Sequence, residues 1–197
     1  MKINAFLFDL DGTLFDAPYD WGRIRKELGV KGRLILEHFK TLSPEERRKK
    51  EKKLLSFEWE ATLKGKLREG VRELLEDIKK RGKKIAIVTN NSIEVASYII
   101  KKYSLPVDVV ITREDGSFKP YREPIVQALE RLEEKAESSV FVGDNDLDIM
   151  AAAGFSFPLI LIVNSAPERF AAMFPDSRIR YFRSFHQLLN FIRENLL

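Results

Sequence analysis

Hydrophobic and polar positions along the chain follow two periods that replace one another in turn. Residues 3–8 form a short, almost wholly apolar run, the pattern of a strand buried on both faces of a parallel sheet. Comparable runs recur at 84–88, 107–111, 139–142 and 159–163, with a shorter one at 179–182. Between them the period changes to that of a helix. Val71, Leu74, Leu75 and Ile78 form one stripe, ended by Gly82; Val95, Ala96, Ile99, Ile100 and Tyr103 form a second. Ile125, Val126, Leu129 and Leu132 mark a third, and a short helix is predicted at 147–153. Phe185, Leu188, Leu189 and Ile192 mark the last, behind Ser184 and Gln187 as capping residues. Strand and helix alternate throughout, which predicts an α/β fold built as a three-layer parallel sheet.

One stretch breaks the alternation. After Leu14-Phe15-Asp16-Ala17-Pro18, which reads as a turn leading out of the sheet, residues 19–66 carry no strand pattern. They predict helices near 20–28 and 33–40 and a longer one after Ser43, where Pro44 and Glu46 complete a capping box. The chain is thus expected to hold a main domain of residues 1–17 and 68–197 and a small helical insertion at 18–67. Tyr19, Trp21, Phe57 and Trp59 are expected to form the insertion's core, with one or two of them as candidates to line a pocket.

Composition narrows the function classes. At 197 residues, 32% charged and 44% hydrophobic, the chain is globular. A net charge of +4 suits an anionic substrate without demanding nucleic acid. The basic run from Arg47 to Lys53 sits among Glu45, Glu46, Glu51 and Glu58, the pattern of a solvated helix face, so no nucleic-acid partner is expected. There is no cysteine, hence no thiolate nucleophile or metal ligand. The N-terminus lacks a signal-peptide pattern, and no apolar stretch approaches the roughly 20 residues that span a bilayer. A cytoplasmic protein without a membrane partner is expected; monomer and dimer have no distinguishing signature.

Candidate chemistry lies where the strands end, which is where parallel sheets hold ligands. The first strand runs into Asp9-Leu10-Asp11-Gly12-Thr13. Two carboxylates there can hold a hard cation, one can attack an electrophile, and Thr13 can orient a carboxylate. The second strand gives Thr89 and Asn90 ahead of a helix N-terminus, a setting that favours anions. Lys119 follows the third in Phe118-Lys119-Pro120, and the fourth gives Gly143-Asp144 with Asp148 four residues on. A hydroxyl, a helix N-terminus and an ammonium make a phosphate cradle, while three or four carboxylates make a Mg²⁺ site. Together they suggest phosphoryl transfer. Asp146 reads as a helix cap or surface charge.

In their order these four motifs resemble the haloacid dehalogenase superfamily, in particular its Mg²⁺-dependent, phosphoglycolate phosphatase-like branch. The resemblance covers nearly the whole chain and implies a Rossmann-like core with a small α-helical cap inserted after the first strand. It implies that Asp9 would be the nucleophile and would also bind Mg²⁺. Asp11 would protonate the leaving oxygen and later deprotonate water, its backbone carbonyl ligating the metal. Thr89, Lys119 and the backbone N–H of Asn90 would hold phosphate. Asp144 would be the third metal ligand, with Asp148 supporting the site through water or Lys119. The second aspartate argues for phosphate rather than halide, since a departing halide needs no acid. Family members often carry proline three residues after the lysine; here Arg122 stands there, a source of positive charge near the rim.

The implied activity is a Mg²⁺-dependent phosphomonoesterase acting through an aspartyl-phosphate on a small phosphorylated metabolite. Phosphoglycolate-like acids, sugar phosphates and nucleotides all go with this core and cap. A sugar phosphomutase sharing every core residue is the first alternative, a non-catalytic phosphate-binding protein the second.

Overall fold

The computed structural model describes residues 2–32 and 34–197. The chain divides into two compact units, one of Met1–Asp16 with Leu67–Leu197, the other of Ala17–Lys66. In chain order the elements are β1 (Ala5–Phe8), β2 (Phe15–Asp16), α1 (Trp21–Leu28), α2 (Ile35–Lys40), α3 (Pro44–Lys64) and β3 (Lys66–Leu67). There follow α4 (Val71–Lys80), β4 (Lys84–Val88), α5 (Ile93–Lys102), β5 (Val109–Ile111), α6 (Glu123–Leu132) and β6 (Ser139–Gly143). The chain closes with α7 (Asp146–Ala153), β7 (Leu159–Val163), α8 (Glu168–Met173), β8 (Ile179–Phe182) and α9 (Phe185–Asn195).

The larger unit is an α/β sandwich around a six-stranded sheet in the order β5-β4-β1-β6-β7-β8, every pairing parallel. Alternate side chains of each strand serve opposite faces. On one face Ala5, Leu7, Ala86, Val88, Phe141, Ile160 and Ile162 share a core with Ile125, Ala128 and Leu129 of α6 and Ile149 of α7. The intervening residues Phe6, Phe8, Ile85, Ile87, Val140 and Val142 are equally buried and face the other layer, where α4 packs on β4 and α9 on β7 and β8. Burial on both faces explains why these strands lack polar alternation.

Sheet order locates the ligand crevice. From β1 the chain builds β4 and β5 on one side, then crosses to build β6, β7 and β8 on the other. The reversal falls between β1 and β6, and such switch points leave a cleft at the carboxyl ends of the strands.

The smaller unit is helical. Ile24 and Leu28 of α1, Ile35 and Phe39 of α2, and Leu54 and Phe57 of α3 form its core with Val30. Ser43 caps α3 through the expected box with Glu46. The basic run on α3 is taken up in pairs such as Arg47–Glu51, Lys49–Glu45 and Lys53–Glu27. The helix expected at 33–40 starts on Arg33, which lies outside the described residues; the described helix is α2.

Several expectations are corrected. Phe15–Asp16 is extended rather than turning, and the supposedly strand-free stretch ends in a strand that begins at Lys66. Nearby, Arg68 donates its backbone N–H to the Leu14 carbonyl at 3.0 Å. Two residues are too few for alternation to register. Trp21 is not core: it is 43% exposed and stacks on Tyr19 with ring centroids 4.6 Å apart. No helix among the described residues is long and apolar enough to cross a membrane.

Candidate active site

β1 delivers Asp9 to the switch point. Phe8 pairs with Ile87 on one side and Val142 on the other, and the Asp9 N–H continues the ladder to the Val142 carbonyl at 2.8 Å. The loop then folds tightly: Leu14 and Phe15 both donate to the Leu10 carbonyl at 2.9 Å, with Gly12 at φ 87°. Only glycine suits that corner, because a Cβ there would lie 2.3 Å from Asp144 Oδ2. The turn brings Thr13 Oγ1 back to donate to Asp9 Oδ2 at 3.3 Å.

Lys119 is the hub of the buried charge. Its ammonium donates to Asp9 Oδ1 at 2.5 Å and to Asp148 Oδ1 at 2.6 Å, and Lys119 itself is only 3% exposed. Asp148 Oδ2 accepts the backbone N–H groups of Asp144 and Asn145 at 3.0 and 3.3 Å. Asp144 is steadied in turn: Asn145 Nδ2 donates to its Oδ1 at 2.8 Å, and Asn164 Nδ2 to its carbonyl at 3.0 Å.

Carboxylate oxygens of Asp9, Asp144 and Asp148 all lie within 4.8 Å of one another. One ammonium thus faces three carboxylates, an excess of negative charge in a buried place. Desolvation pushes Asp9 up to about 7, with the Lys119 charge opposing and Asp148 adding to the rise. Asp144 is raised as well, by desolvation and then by the charges of Asp148 and Asp9. Burial disfavours the Lys119 ammonium, but Asp148 and Asp9 outweigh it and hold the group protonated. The donors are hard oxygens and negative charge is in excess, so the cluster fits a hard cation that could be held by Asp9 and Asp144, both Asp148 oxygens being engaged by Lys119 and the N–H groups of Asp144 and Asn145. The Asp11 carboxylate is not a member of this set.

The β4 loop ties the rest together. Thr89 N–H donates to the Ile111 carbonyl at 2.9 Å, and its Oγ1 accepts the Asn91 N–H at 3.1 Å. Asn90 grips the Lys119 backbone at both ends: Oδ1 accepts its N–H at 2.7 Å, and Nδ2 donates to its carbonyl at 2.8 Å. Asn91 Nδ2 donates to Asp11 Oδ2 at 2.8 Å. Hydrogen bonds and chain adjacency therefore join all eight residues singled out in the sequence: Asp9, Asp11, Thr13, Thr89, Asn90, Lys119, Asp144 and Asp148.

The settings of Asn91, Asn145, Asp146 and Arg122 stand out only in the folded chain. Asn91 gives no sequence signal, since an asparagine in a strand-end loop reads as turn chemistry. Asn145 caps α7 in a box with Asp148, a spacing visible in the sequence, whereas Asp146 is buried at 6% exposed instead of capping. The Arg122 guanidinium is exposed and lies 4.5 Å from the centroid of the Phe155 ring, a contact with no signal in the sequence.

Residues 17–162 match the haloacid dehalogenase-like hydrolase family, and the chain belongs to that family; it is a hydrolase. A protein of Caldanaerobacter subterraneus is 33% identical over 177 residues, covering 77% of this chain and 78% of its own. The pyrophosphatase PpaX of Halalkalibacterium halodurans is 32% identical over 172 residues, covering 76% and 79%. Among solved structures, a HAD-superfamily hydrolase from Ehrlichia chaffeensis superposes over the full length of both chains with a TM-score of 0.65 at 26% identity. A hydrolase from Pseudomonas syringae shares the fold at a TM-score of 0.76 and 21% identity, covering 98% and 99%.

Proposed function

We propose that the protein is a Mg²⁺-dependent phosphatase that cleaves a small phosphorylated compound through an aspartyl-phosphate on Asp9. The observation that carries this reading is the buried Lys119 ammonium between Asp9 and Asp148, within a carboxylate set that also includes Asp144. A carboxylate attacks a phosphate dianion only where positive charge offsets the repulsion. Mg²⁺ held by Asp9 and Asp144, with the Asp11 backbone carbonyl, would supply that charge. Lys119 adds its own and fixes the Asp9 rotamer, while Thr13 steadies the second Asp9 oxygen.

Thr89 Oγ1, the Asn90 N–H and Lys119 would receive the phosphoryl oxygens, at a loop that leads into the N-terminus of α5. Asp11 would give a proton to the departing oxygen and take one from the attacking water. Asp148 acts at one remove, fixing Lys119 and the backbone that carries Asp144. Relatives named as pyrophosphatases support placing inorganic pyrophosphate beside phosphate monoesters among the substrates.

The test is phosphate release from pyrophosphate, phosphoglycolate, sugar phosphates and nucleotides, with Mg²⁺ or with chelator, for wild type and Asp9→Asn. Mg²⁺-dependent release that Asp9→Asn abolishes is the expected result. Release that survives in Asp9→Asn would overturn the nucleophile assignment, and release unaffected by chelator would overturn the metal requirement.

A further inference from the structure

We infer that Asn91 is a positioning residue for proton transfer: its side-chain amide holds Oδ2 of Asp11 and so directs the proton through Oδ1. The inference rests on the acid–base reading of Asp11 proposed above and adds a residue to it.

Asn91 is locked before it reaches Asp11. It is 4% exposed, its N–H donates to Thr89 Oγ1 at 3.1 Å, and its Oδ1 accepts the Ser92 N–H at 2.8 Å. Ser92 is itself the cap of α5, accepting the Val95 N–H on its hydroxyl at 3.2 Å. Because a backbone N–H points at Oδ1, the amide orientation is determined: the other terminus is NH₂, a donor only. That NH₂ donates to Asp11 Oδ2 at 2.8 Å, across 80 positions of sequence. The β1 loop that carries Asp11 is thereby pinned to the β4 loop that carries Thr89.

The chemical consequence follows from the two oxygens of a carboxyl group. An amide holding one of them fixes the rotation of the carboxyl group and with it the position of the other. With the amide on Oδ2, the proton that Asp11 gives up is placed on Oδ1. In the first half-reaction an Asp9 oxygen bonds to phosphorus. The ester P–O bond breaks with its electron pair on the departing oxygen, which takes the Asp11 proton. In the second half, water bonds to phosphorus and returns a proton to Asp11 as the phosphoryl bond to Asp9 breaks. Geometry of this kind matters because a general acid must lie within hydrogen-bond reach of the atom it protonates.

A merely structural tie would slow all substrates alike, whereas misplacing an acid slows those whose leaving groups need one. The experiment compares kcat/KM for phenyl phosphate and p-nitrophenyl phosphate, which are close in shape. Phenolate departs poorly without a proton, while p-nitrophenolate is already a stable anion near neutral pH. Because kcat/KM extends only through the first irreversible step, it isolates leaving-group departure from the hydrolytic half. Wild type, Asp11→Asn, Asn91→Ala and Asn91→Asp are measured, with melting temperatures. Asn91→Asp keeps the acceptor for Ser92 but sets a carboxylate against Asp11 in place of the donor, which displaces the Asp11 carboxyl, so it carries the test if Asn91→Ala does not fold.

The expected result is a loss for both Asn91 variants that is roughly 10-fold larger with phenyl than with p-nitrophenyl phosphate, in the same direction as Asp11→Asn. A uniform loss across the two substrates in the Asn91 variants, beside a selective loss in Asp11→Asn, would overturn the role of Asn91 alone. A uniform loss in Asp11→Asn as well would overturn the acid–base reading on which it rests.

Discussion

Asn90 and Lys119 hold each other at two points, the asparagine amide closing on both the N–H and the carbonyl of the lysine at 2.7 and 2.8 Å. Lys119 reaches Asp9 and Asp148 from a segment outside the regular strands, so this grip substitutes for a ladder. Asn90→Ala leaves the N–H and carbonyl of a buried residue without these bonds, at a cost of about 1–3 kcal/mol. Activity is expected to fall roughly 100-fold, the scale of a misplaced charged group. Phosphate release and chemical denaturation check both figures; unchanged kinetics would show that Lys119 is placed by other contacts.

Gly12 and Gly82 make a paired test of why glycine stands where it does. Both have positive φ, 87° and 71°, but a Cβ at Gly82 meets nothing within 4 Å, whereas one at Gly12 strikes Asp144 Oδ2. Gly82→Ala is expected to cost about 1 kcal/mol of stability and leave turnover intact. Gly12→Ala should cost more and also reduce activity, because Asp144 cannot yield without leaving Asn145 and the carboxylate cluster. Wild-type turnover in Gly12→Ala would contradict this.

The segment ahead of Lys119 carries a pH signature. Burial works against the charge on Asp115, but hydrogen bonds from Thr112 N–H and the Arg131 guanidinium outweigh it and hold the carboxyl below its ordinary value. A folded-state value below the unfolded one, about 3.9, stabilises the protein above that pH, and the contribution is lost as pH falls through the lowered value. In Asp115→Asn the stability deficit should be constant near neutrality, about 1 kcal/mol given the half-exposed Arg131, and should shrink towards pH 3. Urea midpoints for both proteins between pH 7 and 3 measure it. A deficit that grows on acidification would reverse the assigned sign.

What was legible in the chain, and what was not, has a physical pattern. Lys84–Val88 and Leu159–Val163 were bounded to the residue because their apolar runs end against polar loops. The capping box of Ser43, Pro44 and Glu46 marked α3 because each of its groups has one local partner. The resemblance picks out Asp9, Thr89, Lys119 and Asp144 through four short motifs, each at a strand end, and the fold gathers Asp9, Lys119 and Asp144 in one place. Elements without a repeated pattern escaped: β2 and β3 have two residues each, and the six-residue α8 buries only Phe170. Side-chain type alone places Trp21 in the core, whereas exposure depends on which helix face it occupies. The grip of Asn90 on Lys119 spans 29 positions of sequence and only the folded loops reveal it.

The central claim is covalent: phosphate passes through Asp9. The most direct measurement is rapid acid quenching of the protein during turnover with Mg²⁺ and its best substrate, followed by peptide mass spectrometry. The account predicts a peptide containing Asp9 that is heavier by one phosphoryl group, absent in Asp9→Asn and in chelator-treated samples. Turnover with an unmodified Asp9 peptide at every quench time, under conditions that preserve a known acyl-phosphate, would contradict it.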